Sequence, residues 1–509
     1  MAARSRALGS SSVRGYAAAA FKPSEPAVTK RRKQLIPNGF HMFDLAFIGS
    51  GGSSPSRSRG APCSILDLGG ENYMFDAGEG SLRQIIGTPH SVLETSAIFI
   101  THLHADHILG LPSLVLQVGS APGTLNIYGP VGLYDFLVST LNLAHANLAR
   151  EVIVNEMVVS EGDYANFKEK SIHKYHVPWS LKSLSNRQGA GSGVRPNKSI
   201  NIHRREIKTD SDTGAWILVD QDAISVQARL IKHRIPCFGF VVKETDIAGK
   251  LDADKCDELG VPPDRRGVFK SGHDYIAKYE DEDGQERERL VRMEDVCGPP
   301  VPGRKVVILG DTCDASNMTN VAMDCDVLVH EATAGNEFHH TLVARGHSTP
   351  RMAAETALAF NAKRIIINHV GSQYLALASS RGVAGLRIDT DLQREARAAL
   401  GRPQHCFVGR DFVTVSVPQG GYSRGNDKFL IKFPYVDLAT GATNLKGESK
   451  HVMELPPRPE KGPHGYVCLG DNNNHKGHNN MHSNSNNKGG GNGGAKRRNY
   501  NNNSNSNNR

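Results

Sequence analysis

The sequence lacks two features that would place it in special classes of protein. It contains no uninterrupted apolar run of about 18 residues, so no membrane-spanning helix and no membrane association are expected. Its eight cysteines are scattered and no Cys-x-x-Cys pair occurs, so buried free thiols in a reducing compartment are expected. With 509 residues, of which 39% are hydrophobic, the chain can bury one large core or two ordinary ones.

The first 30 residues have no acidic residue before Glu25 and are rich in Arg, Ser and Ala. This composition is typical of organelle transit peptides, whereas the long apolar segment of a secretory signal is missing. We therefore interpret residues 1–40 as a transit peptide or disordered extension that directs the protein to the mitochondrion or plastid. The alternative is nuclear import, because KRRK at Lys30–Lys33 is a basic cluster of the nuclear-signal type.

The net charge of +8 is carried by the two ends of the chain. Residues 1–40 hold eight Lys and Arg against one Glu, and residues 471–509 hold six against one Asp. The region between them therefore has a net charge of −4. A mildly acidic body excludes a general polyanion binder. Nucleic acid would have to be bound by local basic patches, by the chain ends or through metal ions.

Residues 41–420 alternate apolar, β-branched segments with helical ones, which predicts an α/β fold with mostly buried strands. SAIFI, RKVVIL, CDVLV and KRIII are typical of strands, and LPSLVLQVG and TPRMAAETALAFN of helices. In CSILDLGGENYMFDAGEG, GGEN is the expected turn of a hairpin.

Four stretches depart from this pattern. Residues of about 160–216 include a Gly/Ser/Asn-rich run and are predicted to be a flexible insertion. Residues of about 246–300 are polar and charged, which indicates a protruding arm. Residues 421–470 form a C-terminal extension. The Asn/Gly-rich tail at 471–509 has almost no apolar residues to bury and is expected to be disordered.

The strongest chemical motif is THLHADH at the end of an apolar strand. His102 and His104 are two residues apart, which puts both imidazoles on the same side of a strand. Asp106 and His107 follow where a helix is expected to begin, so they can face a neighbouring point. Mixed His and Asp ligands suit zinc, and two neighbouring points indicate two metal ions. The alternative is a group of hydrogen-bonded polar residues in a loop.

The His-x-His-x-Asp-His pattern after an apolar strand resembles the signature of the metallo-β-lactamase fold, which hosts many hydrolases. Further motifs narrow the resemblance: FIGSGGSSPSRSRG, FDAGEGSLRQI, THLHADHILGLPSL, IYGP, KHRIPCFGFVV, LGDT, VHEAT, GHSTP, AKRIIINHV and GRDF occur in this order. Together they resemble tRNase Z, the endonuclease that removes the 3′ trailer from precursor tRNA. The resemblance covers about residues 43–416. It implies an αββα sandwich in one catalytic body like the family's short form.

The resemblance implies a complete set of ligands for two zinc ions, with manganese as an alternative metal. The first ion would be held by His102, His104 and His233, and the second by Asp106, His107 and His369. Asp311 would bridge both, because a carboxylate offers two oxygens and a charge that offsets two cations. Taken alone, His369 after RIIIN would more often be a core or capping residue.

The resemblance also implies a proton donor for the departing ribose 3′ oxygen. Glu331 in HEAT would orient and charge His347 in GHST, and the reaction needs such a donor because an alkoxide is a poor leaving group. Asp106 would hold metal and also help to activate the attacking water. Glu331 alone would be interpreted as an ordinary carboxylate at a strand end. We expect Asp106, Glu331 and His347 to be the catalytic residues.

Predicted substrate contacts are fewer and depart from the family's pattern. Arg59 in PSRSRG is followed by Gly60, where the family has an Arg-Asn pair, but it still offers a phosphate ligand. The arm carries VPPDRRGVFKSG instead of the family's GIPPGP and basic run, so it is expected to be altered or shortened. The predicted contacts are Arg59, Arg83, Ser348, Thr349, Arg265, Arg266 and Lys270. A solvated turn is the alternative for the arm's Arg pair.

Three functions therefore remain open at this point. The first is a zinc-dependent endoribonuclease that acts on precursor tRNA as a homodimer and leaves a 3′-hydroxyl on the tRNA and a 5′-phosphate on the trailer. The second is a phosphodiesterase of the same fold that acts on another RNA or on a small phosphodiester. The third is a non-catalytic RNA-binding protein with structural zinc, which the complete ligand set disfavours.

Overall fold

The structure is a computed structural model that describes residue 40 and residues 42–163, 195–247, 249–270, 272–281, 283–380, 385–401, 405–420 and 431–432. The predicted extension at 1–40, apart from Phe40, and the tail at 471–509 lie outside the described residues. So do residues 164–194 of the predicted insertion. Residues 195–216 belong to the folded body, because they contain the strand Ile200–Ile207. The insertion predicted for residues 160–216 was therefore drawn too widely.

The first of two large sheets has nine strands. In spatial order they are β20 (Ile431–Lys432), β19 (Thr414–Ser416), β1 (Asp44–Gly49), β3 (Cys63–Asp67), β4 (Asn72–Phe75), β5 (Thr95–Phe99), β6 (Thr124–Pro130), β7 (Leu148–Met157) and β8 (Ile200–Ile207). Strands β4 to β8 are parallel to one another, and the remaining pairs are antiparallel. The hairpin predicted around GGEN is confirmed, because β3 and β4 pair across it.

The second sheet has seven strands. In spatial order they are β18 (Cys406–Val408), β16 (Ile365–Asn368), β15 (Val327–Glu331), β14 (Lys305–Leu309), β11 (Cys237–Glu244), β10 (Ile224–Ile231) and β9 (Trp216–Gln221). Strands β14, β15, β16 and β18 are parallel, which brings their carboxyl ends to one edge. Two short strands, β2 (Gly51–Gly52) and β17 (Val370–Gly371), form a separate parallel pair.

The main core lies between the two sheets. Strands of both sheets contribute to one buried cluster, in which Phe75 and Phe99 of the first sheet pack in tilted arrangements against Phe240 of the second, at centroid distances of 5.8 and 5.5 Å. The opposite face of each sheet is apolar as well and is covered by helices. This gives four layers in the order helix, sheet, sheet, helix, and the predicted αββα sandwich is confirmed.

The helices are short apart from those that cover the sheets. The α-helices are Ser81–Ile86, Ala105–Ile108, Leu111–Val118, Leu133–Leu143, Ala253–Glu258, Gly267–Lys270, Met293–Val296, Thr319–Ala322, His339–Ala344, Pro350–Ala359, Ser372–Ser380 and Gly385–Leu400, and the 3-10 helices are Val92–Glu94, Ser316–Met318 and Asn336–Phe338. Among these described helices, none combines the length and the hydropathy that a membrane span needs.

The predicted arm is a small module inserted between β11 and β14. It contains a hairpin of β12 (Tyr275–Glu280) and β13 (Glu286–Val291), and the bridges Ile247 to Val301 and Leu251 to Cys297 close its base. Its own buried cluster includes Phe269 at 0% exposure. The segment predicted as an arm outside the main core is thus an ordered unit with a separate core.

Candidate metal centre and active site

The THLHADH motif follows β5, at the carboxyl end of the parallel strands of the first sheet. The helix Ala105–Ile108 begins immediately after His104, as its sequence position predicts. His102 is fully buried and His107 is 2% exposed, while Asp106 is partly exposed. The loop after β5 therefore provides two imidazoles, and the helical turn that follows provides an imidazole and a carboxylate beside them.

The first candidate metal group combines this motif with residues from the second sheet. His104 Nδ1 lies 2.9 Å from His102 Nε2 and 3.1 Å from His233 Nε2. Asp311 Oδ2 is 3.7 Å from His102 Nε2 and 4.0 Å from His233 Nε2. All four ligand atoms fall within 4.8 Å of one another. This places together the four residues predicted to hold the first ion.

The second group lies on the other side of Asp311. His107 Nε2 is 3.4 Å from His369 Nε2, and Asp106 Oδ2 is 3.7 and 3.5 Å from those two nitrogens. Asp311 Oδ1 is 3.6 Å from His107 Nε2 and 3.2 Å from His369 Nε2. One oxygen of Asp311 thus faces each group, which is the arrangement expected of a bridging carboxylate.

Hydrogen bonds from the far side orient three of the rings. His102 Nδ1 lies 3.0 Å from Thr101 Oγ1, and His233 Nδ1 lies 2.7 Å from the carbonyl oxygen of Gly346. His107 Nδ1 lies 2.7 Å from Asp76 Oδ2. These contacts leave Nε2 free to bind metal, and such outer partners normally fix the tautomer of a ligating histidine. His104 differs because its Nδ1 faces the group.

The electrostatics of the first group suit neutral imidazole ligands. Burial lowers the pKa of His102 well below its usual value, and it lowers the pKa of His233 to about 3 and that of His104 to about 4. Metal binds imidazole in its neutral form. Burial would raise the pKa of Asp311, but the facing His369 and His107 hold it well below its usual range. The three imidazoles of the first group can therefore bind a divalent cation without first having to lose protons.

The predicted pair Glu331 and His347 lies beside Asp311. Glu331 is the last residue of β15, and its Oε1 is 3.0 Å from His347 Nδ1. The backbone N–H of Thr312 and the hydroxyl of Thr333 also donate to Glu331, at 2.7 and 2.6 Å. Burial would lower the pKa of His347, but Glu331 and Asp311 raise it to about 9. His347 is therefore protonated at neutral pH and can donate a proton.

Comparisons with known proteins identify the family to which the chain belongs. Zinc phosphodiesterase ELAC protein 1 of Bos taurus is 33% identical over 388 residues, which are 74% of this chain and 99% of that protein. Ribonuclease Z of Nostoc sp. is 31% identical and covers 74% of this chain and 96% of its own length. The chain belongs to the ribonuclease Z family. The resemblance inferred from the motifs is thereby confirmed.

Two further matches were found, one to a solved structure and one to a family model. The crystal structure of human tRNase Z, short form, matches with a TM-score of 0.47 and 26% identity over 74% of this chain and 99% of that one. A family model described as anti-Pycsar protein Apyc1 matches residues 43–147. These residues include the metal motif of the ribonuclease Z body. The relatives' zinc phosphodiesterase name and the ligand groups together support a metal cofactor.

Sequence reasoning missed three residues that support the candidate metal ligands, which are Asp76, Thr101 and Ser53. Asp76 has a positive φ of 57° and accepts a hydrogen bond from the Thr101 backbone N–H at 2.8 Å as well as facing His107. The Ser53 backbone N–H donates to Asp106 Oδ2 at 2.7 Å. Asp76 lies in the FDAGEG motif, directly after a strand end, which is the signal that would have identified it.

The predicted phosphate contact of Arg59 is corrected by the structure. Arg59 is 3% exposed, and its guanidinium is bonded to Ser50 Oγ, the Gly409 carbonyl and Asp389, each at 2.6 Å. A buried guanidinium that has carbonyl and carboxylate partners is not available to bind substrate. Arg59 instead ties the loop that precedes it to the second sheet's C-terminal region. The strand β2, which precedes this loop, pairs with β17 directly after His369.

Ser348 and Thr349 are corrected in the same way. Ser348 Oγ donates to the Thr312 carbonyl at 2.6 Å, and Thr349 caps the helix Pro350–Ala359 through its hydroxyl. Both are buried, and their hydroxyls are occupied by these backbone partners, so they are not available to contact substrate. Arg83 is exposed on the helix Ser81–Ile86, and no ion pair involves it in the described part of the chain. Its proposed phosphate contact stays a prediction.

The arm carries less positive charge than a polyanion clamp would need. Residues 246–300 contain nine Lys and Arg against fifteen Asp and Glu. Arg266 pairs with Asp257, whereas Arg265 is exposed and lies 3.4 Å from Asp264. Lys270 is exposed and makes no ion pair within the described ranges. Contact with RNA through the arm would therefore depend on a small local patch.

Proposed function

We propose that this protein is a zinc-dependent endoribonuclease that removes the 3′ trailer from precursor tRNA, leaving a 3′-hydroxyl on the tRNA and a 5′-phosphate on the trailer. The observation that carries the proposal is the position of Asp311, whose two oxygens face two His/Asp groups while His347 lies 3.7 Å away. Membership of the ribonuclease Z family supports the substrate class.

We further propose that two zinc ions bind, one to each group, with manganese as the alternative. When bound, the ions would polarise the scissile phosphate and promote deprotonation of the attacking water. Asp311 suits both positions at once because its carboxylate places one oxygen toward each group. The count is tested by metal analysis of the purified protein, for which we expect two ions per chain and a loss of both affinities in Asp311→Ala.

His347 is the proposed proton donor to the leaving 3′ oxygen. Its Nδ1 is bonded to Glu331, so its Nε2 carries a proton that can be transferred when the O3′–P bond breaks. Glu331 acts by positioning and charging this ring, since its second oxygen is held by the hydroxyl of Thr333. A positioned general acid of this kind contributes about 10²–10⁴-fold to a rate.

Asp106 is proposed to orient the attacking water. Burial would raise its pKa, but His369 and His107 lower it to about 2, so the carboxylate is ionised at neutral pH. One of its oxygens accepts the Ser53 backbone N–H. Partial exposure gives water access to the carboxylate. Water held by an ionised carboxylate has its lone pairs directed away from that carboxylate and toward the phosphorus.

The test compares two substrates with the purified full chain in the presence of zinc. A precursor tRNA with a 3′ trailer should be cut once, immediately after its discriminator base. Bis(p-nitrophenyl) phosphate serves as the model phosphodiester of the alternative function. Activity on the model compound without cleavage of the precursor would reject the tRNA substrate and favour a phosphodiesterase that acts on another RNA or on a small molecule.

We also propose a homodimer in which the arm of one subunit contacts tRNA bound to the other. Light scattering should give twice the chain mass. Subunits that carry His347→Ala can be mixed with subunits that carry Arg265→Gln and Lys270→Gln. Mixed dimers should recover activity that neither parent has, because one active site then pairs with an intact arm from the other subunit. A monomer, or no recovery on mixing, would contradict this arrangement.

Import into the mitochondrion or plastid is proposed from the composition of residues 1–40. A fluorescent protein fused after residue 40 should enter an organelle and lose the extension on import. Replacing Arg4, Arg6 and Arg14 by Gln should prevent entry, because transit peptides depend on their basic residues. If replacing Lys30–Lys33 abolishes nuclear accumulation instead, the nuclear alternative is correct.

A further inference from the structure

A cavity of about 430 Å³ opens beside the proposed proton donor. It lies between the end of the helix His339–Ala344, the 3-10 helix Asn336–Phe338 and the helix Ser372–Ser380. His347 and Thr333 form its boundary with the metal groups. Its volume is within the range of small-molecule sites, about 300–1,000 Å³. A single nucleotide therefore has room to bind there.

The cavity combines aromatic surface with positive charge. Phe338 and Tyr374 line it, with ring centroids 5.8 Å apart and planes at 78°, and both rings are partly exposed. Arg234 and Arg345 also line it and are exposed. Neither guanidinium pairs with a carboxylate among the described residues, in contrast to Arg59. Aromatic rings stack on bases, and guanidinium groups bind phosphate bidentately.

The position of His347 indicates which nucleotide would occupy the cavity. Cleavage breaks the O3′–P bond, and His347 gives its proton to the departing 3′ oxygen. The nucleoside that carries this oxygen must therefore lie on the same side as His347, and the cavity is lined by that ring. The trailer, which retains the phosphorus, leaves on the metal side.

We infer that this cavity binds the nucleotide that becomes the 3′ end of the product tRNA, with its base against Phe338 and Tyr374 and its 5′ phosphate held by Arg234 and Arg345. This inference rests on the proposed function. Because every base has a π face, stacking here tolerates any base. The cavity would thus fix the cleavage position without reading the identity of the nucleotide.

The test measures the cleavage of each modified substrate by each variant enzyme. Tyr374→Leu and Phe338→Leu remove the aromatic surface, and Arg394→Gln is the control because Arg394 is exposed and pairs with Asp391 outside the cavity. One precursor lacks only the base of the nucleotide that carries the leaving oxygen, and a second lacks only the base of the first trailer nucleotide. Thermal melting establishes that each variant is folded.

On the intact precursor, we expect each aromatic variant to lower kcat/KM by about fivefold to 100-fold, which is the usual effect of losing one stacked base. On the precursor without the leaving nucleotide's base, wild type and these variants should be equal, because the contact is already absent. On the precursor without the trailer base, the ratio should match that of the intact substrate. Arg394→Gln should behave as wild type throughout.

A charge variant gives an independent measurement at Arg345, which is exposed. Arg345→Gln should raise KM and reduce the slope of log KM against log salt by about one, because one phosphate contact is lost. Folded variants that cut all three precursors at wild-type rates would overturn the inference. So would a loss that follows the trailer base instead. If wild type itself does not cut the precursor, the proposed function fails rather than the subsite.

Discussion

Substitution of Asp76 should perturb the candidate metal centre without removing any of its proposed ligands. Its carboxylate accepts from the Thr101 backbone N–H at 2.8 Å and hydroxyl at 2.9 Å, and it faces His107 Nδ1 at 2.7 Å. Asp76→Asn keeps the side-chain shape and suits the positive φ of 57°, which Asn tolerates. If the new amide oxygen stays with the Thr101 N–H, the NH₂ group faces His107.

The consequence is a change of tautomer at His107. An NH₂ group donates, so Nδ1 must accept, and the proton moves to Nε2, which is the nitrogen 3.4 Å from His369. That nitrogen can no longer bind metal in its neutral form. Loss of such an outer partner typically costs 10–100-fold in metal affinity, or about 1.4–2.8 kcal/mol. The loss should fall on the ion proposed to bind Asp106 and His107, and only weakly on the ion proposed for the first group.

The assay is zinc titration against a competing chelator for wild type and two variants. Asp67→Asn is the matched control, because Asp67 also pairs with a histidine, His90, at 3.1 Å but outside the metal groups. We expect one affinity to fall 10–100-fold in Asp76→Asn and both to stay within about twofold in Asp67→Asn. Folded Asp76→Asn with both zinc affinities unchanged would refute the assignment of tautomers.

Three other perturbations follow from the structure. Arg59→Met should lower the free energy of unfolding by about 1–3 kcal/mol in urea denaturation, because Asp389 loses a charged hydrogen bond; an unchanged stability with raised KM would restore its substrate role. Glu331→Gln should lower the pKa of His347, so the alkaline decline of kcat should move to lower pH; no movement would exclude His347 as the acid. Lys270→Gln should raise KM for precursor tRNA with kcat unchanged, and equal KM would exclude a contact through Lys270.

Much of the centre could be predicted because its ligands are tied to strand ends. His102, Asp311 and His369 each follow an apolar strand, and parallel strands bring their carboxyl ends together. The ordered motifs then fix which histidines belong to the set. Asp76 also follows a strand end, but its role depends on a hydrogen bond to His107, and its position after the strand does not by itself report that bond.

The predictions of substrate contacts were weaker for a physical reason. A cation near the site is equally suited to phosphate and to a buried carboxylate, and only the fold decides between them. Arg59 pairs with Asp389, 330 residues further along the chain. Ser348 and Thr349 were near the site as expected, but their hydroxyls are used by the backbone around His347. Arg345 had no motif to mark it.

The insertion was overestimated because composition alone delimited it. Polar residues between the Gly/Ser/Asn-rich run and Trp216 suggested a loop. The strand Ile200–Ile207 lies there, at the edge of the first sheet, with alternating buried and exposed residues at its start. An edge strand with one solvated face carries many charged residues, so it resembles a loop in composition.

Cleavage of precursor tRNA by wild type and by His347→Ala tests the central claim most directly. Wild type should leave a 3′-hydroxyl on the tRNA and a 5′-phosphate on the trailer. His347→Ala should remain folded, bind zinc normally and lower kcat by about 10²–10⁴-fold with a similar KM. A folded, metal-loaded His347→Ala protein that cleaves at the wild-type rate, or a wild type that cuts only bis(p-nitrophenyl) phosphate, would contradict it.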